Sequence, residues 1–128
     1  MLGGMLAFLA SLSTAHVVSV GVVAAIVVEV ATLVMRFGFA MKSPTVTHRA
    51  ARFTRGWRVH HGFVGLAVLV LAAALPLPPP WGNLAWISGI ALFLSDAIHH
   101  FAVLHPVFGD SEFDLRYPEH GSDVRGPL

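Results

Sequence analysis

Three apolar stretches, each near the length of a bilayer crossing, constrain this chain more than anything else in it. They run over about 15–35, 59–75 and 84–104. A helix needs ~20 apolar residues to cross the hydrocarbon core, and the second stretch falls a little short of that. Helix is the state expected in lipid, because three strands cannot close a barrel and open sheet edges are not tolerated there. The expected fold is an all-α integral membrane protein with three transmembrane helices. Its residues 1–108 form a three-helix bundle, and residues 109–128 form a polar, acidic tail.

Composition agrees with that class. Hydrophobic residues make up 55% of the chain and charged residues only 12%, whereas a soluble domain carries roughly 25% charged residues. The chain has no cysteine, which removes disulfide and thiolate-metal chemistry. Leu6–Leu12 extends the first stretch and reads as part of the same membrane element, not as a cleaved leader. It lacks a positively charged start, and apolar character resumes at once through Val17–Met35. Pro76, Pro78, Pro79 and Pro80 close the second stretch and Pro106 closes the third.

Charge is segregated. Arg36, Lys42, Arg49, Arg52, Arg55 and Arg58 lie between the first two stretches and account for six of the 8 Lys and Arg. The loop LPLPPPWGN has none. The positive-inside rule therefore places the basic loop and the C-terminal tail in the cytoplasm and the N-terminus outside. Trp57 on one side, and Trp81 and Trp86 on the other, fit interfacial aromatic belts. Thr47–Trp57 reads either as a basic amphipathic helix on the membrane surface or as a solvated loop near anionic headgroups. The tail sets Asp110, Glu112, Asp114, Glu119 and Asp123 against Arg116 and Arg125. Phe108, Phe113, Leu115 and Tyr117 suggest an ordered start and a loose end.

Against this background, ionisable residues inside the apolar stretches stand out. They are Glu29 in the first, His60 and His61 at the start of the second, and Asp96, His99 and His100 in the third. A charge at the bilayer centre costs at least ~2.5 kcal/mol, so such residues point to a site. Depths can be estimated from a rise of about 1.5 Å per residue. Glu29 then lies about 10 Å inside the cytoplasmic face, His99 and His100 about 9–11 Å, Asp96 about 15 Å, and His60 and His61 about 3–5 Å. All fall in the cytoplasmic half, within reach of one another after tilt and side-chain length.

Spacing supports a shared site. Asp96 is three residues before His99 and four before His100, so either imidazole can lie over it. Gly65 and Gly89 are small residues at expected helix contacts. Glu29, Thr32 and Arg36 share a stripe, with Arg36 reaching for the interface. Imidazole and carboxylate suit a transition metal, with zinc or iron the leading candidates, and bundle cores commonly build such sites from facing helices. The expected ligands are His61, Asp96 and His100, with Glu29, His60 and His99 as further ligands or supports. The same residues also admit haem b held by two histidines, a proton or cation path, or a hydrogen-bonded cluster that only locks packing.

His16 reads as an interfacial histidine with Ser13 and Ser19 on its face, and His48 and His120 as loop residues; His105, next to Pro106, has no clear role. Phosphate-binding loops, dinucleotide fingerprints and nucleophile elbows are absent. Partners are then the lipid bilayer of the cell membrane and, since three helices barely enclose a core, a homo-oligomer or larger membrane complex. Nucleic acid is not among them. A metal placed this way would activate water or oxygen on a lipid-soluble substrate arriving laterally.

Overall fold

The computed structural model describes residues 1–39, Trp57, 60–109, Phe113 and Leu115. The described residues form four helical runs and no β-strand. The first, α1, is Leu2–Ser11. It ends at Leu12, whose backbone is extended (φ −69°, ψ 130°), so the apolar N-terminal stretch is a separate helix and not a continuation of the next. Ser13 makes the break. Its hydroxyl accepts from the backbone N–H of His16 at 3.4 Å and meets His16 Nδ1 at 2.7 Å, the capping geometry that starts a new helix.

The second helix, α2, covers Thr14–Gly38, 25 residues. It is α-helical to Leu33 and then widens into a π turn over Val34–Gly38. Its buried residues are Val17, Gly21, Ala25 and Glu29, a row spaced four apart that marks one face. The third helix, α3, is His61–Ala74, 14 residues. At about 1.5 Å per residue it spans about 21 Å, short of the ~30 Å hydrocarbon core. The fourth, α4, runs Pro79–Phe108, 30 residues. Two helices, α2 and α4, are therefore long and apolar enough to cross a membrane by length and composition.

Prolines act differently from the sequence expectation in two places. Pro79 and Pro80 open α4, with Pro78 as its cap, because a proline in the first turn loses only an N–H that would be unpaired anyway. Pro106 does not end α4, which continues to Phe108. The helix is widened to π over Ile98–Leu104, and the His105 N–H reaches back to the His100 carbonyl. The wider turn removes the register in which the proline ring would strike the carbonyl four residues earlier. Gly109, at φ 73°, then terminates the helix in the left-handed region.

The arrangement is a fan around α4, which packs against α1, α2 and α3. Close approach depends on missing side chains. A Cβ on Gly65 would lie 2.5 Å from the Phe93 backbone nitrogen and 2.9 Å from the Gly89 carbonyl oxygen. A Cβ on Gly21 would lie 2.9 Å from Ile90. Asn83 on α4 donates to the Leu9 carbonyl at 2.7 Å, which anchors α1.

The distribution of polarity is the inverse of a water-soluble domain's. Among the described residues, the buried polar ones are Glu29, His60, Ser95, Asp96, His99 and His100, and the buried hydrophobic ones are Val17, Ala25, Ala91 and Leu104. Val23, Val27, Val30, Val70 and Leu71 are all more than half exposed. Residues 40–56 of the basic loop, which hold all of the expected surface helix Thr47–Trp57 but Trp57, and nearly all of the acidic tail, lie outside the described residues.

Candidate metal centre

His60 precedes the first turn of α3 and has extended backbone angles (φ −76°, ψ 141°). That cap conformation separates it from its neighbour His61, which is already helical. His60 turns to α4, where its Nδ1 lies 3.2 Å from His100 Nε2. His61 turns to the preceding stretch of the same helix, with Nδ1 3.1 Å from Asp96 Oδ1 and Nε2 3.1 Å from Ser95 Oγ. The two histidines approach from different directions and converge on one carboxylate.

Asp96 Oδ1 is the centre of the arrangement. It lies 3.9 Å from His60 Nδ1 and 3.8 Å from His100 Nε2. His60, Asp96 and His100 are all buried, and one ligand atom from each falls within 4.8 Å of the others. Ligands at ~2.0–2.2 Å from a tetrahedral zinc stand ~3.3–3.6 Å apart. The observed separations of 3.2, 3.8 and 3.9 Å bracket that spacing. Among the described residues the group has three members, the number of protein ligands that catalytic metal sites use, where structural ones use four.

Asp96 Oδ1 is also buried without a hydrogen-bond partner. His61 Nδ1 is near enough, but the contact lacks hydrogen-bond alignment. A carboxylate oxygen left so in an apolar interior is costly unless a cation faces it. Gly62 makes its position possible. A Cβ there would lie 2.5 Å from Asp96 Oδ2, so any larger residue would displace the carboxylate.

Glu29 and His99 form a separate pair. Glu29 Oε1 lies 3.0 Å from His99 Nδ1, and both side chains are buried. Glu29 Oε2 has no hydrogen-bond partner. The six residues singled out from the sequence thus resolve into His60, Asp96 and His100 facing one another, His61 against the carboxylate, and Glu29–His99 on the α2 side. Arg36 lies over the rings of Phe37 and Phe108, 6.0 and 5.4 Å from their centroids. His16 pairs with Ser13, and His105 is exposed.

Three contributors escape sequence reasoning. Phe113 stacks on His60, with centroids 4.5 Å apart and planes at 25°, and presents its edge to His100 at 5.1 Å. Phe63 meets His60 edge-on at 5.8 Å. Gly62 makes room for Asp96. An apolar residue inside an acidic tail, and a glycine directly after two histidines, are the only signals the sequence carries for them.

The chain matches no protein-family model, no curated protein and no solved structure. Its site must be read from its own geometry.

Proposed function

We propose that this protein is a small integral membrane metalloprotein, with a transition metal, zinc or iron, held by His60, Asp96 and His100 in the cytoplasmic half of the cell membrane. The observation that carries the reading is Asp96 Oδ1, buried, without a hydrogen bond, and approached by the imidazole nitrogens of His61, His100 and His60 at 3.1, 3.8 and 3.9 Å. A metal ion would satisfy His60, Asp96 and His100 at once. His61 would orient the carboxylate from outside the ligand set, as such partners do in metal sites.

Membrane placement is supported by the polar interior and apolar exterior, which suit lipid as the surrounding solvent. In this reading α3 is the third, short crossing, completed by the extended residues that flank it. The basic loop lies in the cytoplasm, and the exposed valine face of α2 meets lipid, a second copy or a larger complex. A ligand position left open would let the metal activate water or oxygen toward a lipid-soluble substrate. The haem alternative has no comparable support, because the His60 and His100 rings already touch edge to face at 4.8 Å.

The test is elemental analysis of the full chain purified in detergent, beside His60→Ala and His100→Ala, with thermal unfolding measured on the same samples. One equivalent of metal in the wild type, lost in both folded variants, supports the site. A wild type that takes up no zinc, iron, manganese or copper, with both variants merely less stable, assigns the cluster to packing instead.

A further inference from the structure

A small cavity between α3 and α4 adjoins the candidate metal centre at Asp96. Its volume is about 140 Å³, and Asp96 forms one wall. Phe63 and Leu66 of α3 and Phe93, Ala97 and Phe101 of α4 supply most of the rest. Phe113 contributes as well, so the ring that stacks on His60 is shared between the site and the cavity. Gly62 also borders the space, and it is the residue whose missing side chain admits the Asp96 carboxylate.

Two properties decide what could occupy it. Apart from Asp96 every described lining residue is apolar or glycine, and such walls offer water few polar partners. Its volume is close to that of an engineered apolar cavity of about 150 Å³ that binds benzene or xenon, but that cavity is enclosed, whereas this one is open to the surface on one side. Entry is lateral. Phe63, Leu66, Phe93 and Phe101 are 40–58% exposed on the outer surface, so the mouth opens onto the apolar exterior.

We infer that this cavity is a binding site for a compact apolar group of about benzene size, which it holds beside Asp96 and the metal that Asp96 helps to bind. The substrate class that follows is a lipid-soluble molecule with a compact apolar end. The chemistry rests on the metal reading above, but the binding does not, and the experiment separates the two.

The probe for binding is xenon, followed by 129Xe NMR on the full chain in phosphatidylcholine nanodiscs after chelator treatment. Wild type is expected to give a saturable shift above the lipid background. Ala97→Phe fills the cavity from α4 and Leu66→Trp fills it from α3, so each is expected to abolish the saturable part. A wild type without a saturable component, or a shift that survives in both folded variants, overturns the site. Persistent contacts between wild-type Phe93 or Phe101 protons and lipid acyl chains, unmoved by xenon, also overturn it, because the space is then filled by bilayer lipid. The substrate class is read separately from the visible absorption of cobalt-loaded protein. Benzene is expected to perturb the cobalt band in wild type and not in Ala97→Phe. An unmoved band overturns the proximity of ligand and metal even where xenon binds. A sample that takes up no cobalt counts against the metal reading, and the xenon result then decides the cavity alone.

Discussion

His99 and His100 are consecutive residues on α4 that serve different neighbours. His99 Nδ1 meets Glu29 of α2 at 3.0 Å, and His100 Nε2 meets His60 at the start of α3 at 3.2 Å. Their rings stand edge to face, 5.3 Å between centroids. Consecutive positions on a helix differ by about a quarter turn or more, and here the widened turn over Ile98–Leu104 carries both. The central helix thereby connects the two outer ones through a pair of adjacent imidazoles. One belongs to the candidate metal centre and the other to a buried hydrogen-bonded pair.

Replacing Asp96 by Asn keeps the shape and removes the charge. Asp96→Asn is expected to abolish metal uptake while leaving the metal-free protein at least as stable as wild type, because the amide carries no buried charge. Metal titration and thermal unfolding of the chelated protein check both halves. Full metal uptake by Asp96→Asn would remove this residue from the ligand set.

Glu29 and His99 should behave as a coupled pair outside the metal centre. Removing one partner of a buried hydrogen bond leaves the other unsatisfied, which costs about 1–3 kcal/mol and more for a charged group. Glu29→Leu and His99→Leu are each expected to destabilise the protein, and the double variant by clearly less than the sum. Metal content should persist in all three. A double-mutant cycle on unfolding free energy measures the coupling, and additive losses would contradict it.

The α3–α4 contact tolerates no side chain at Gly65. Gly65→Ala is expected to cost about 1–3 kcal/mol, since the new Cβ meets backbone atoms that cannot move aside. The same displacement carries His60 away from His100, so metal affinity should fall with stability. Gly3→Ala is the control, because nothing lies within 4 Å of a Cβ there. Equal stability of the two variants would mean that α3 and α4 do not approach as described.

Topology can be checked without background, because the chain has no cysteine of its own. Ser43→Cys lies in the basic loop and Leu77→Cys in the opposite loop. Ser43→Cys is expected to react with a membrane-impermeant thiol reagent only after the cells are opened, and Leu77→Cys in intact cells. Reaction of Ser43→Cys from outside would reverse the orientation and place the site in the other leaflet.

Much of this architecture follows from the chain read as a string. Apolar runs and breakers point to helices, since helix length and hydropathy are local properties, but α1 is separate from α2 and α4 runs from Pro79 to Phe108, beyond both ends of the third apolar stretch. A constant rise per residue puts Glu29, the His60–His61 pair and the Asp96–His100 run near the same end of their apolar stretches, which is why their meeting could be anticipated. Gly65 and Gly89 could be recognised as contact points from size alone. What the string could not decide was direction. The choice between His60 and His61 as the residue facing His100 depends on the extended backbone at His60, which only the docking of α3 onto α4 imposes. The division of His99 from His100 depends on which outer helix lies on which side. The persistence of α4 through Pro106 depends on a π turn that local rules do not anticipate. Phe113 reaches His60 across more than fifty residues of chain, and contacts of that kind are set by packing. Sequence determines which ionisable residues lie inside apolar stretches and near which end. Tertiary structure decides which of them find one another, because side-chain direction is fixed by helix rotation and cap geometry, and both are settled only when helices pack.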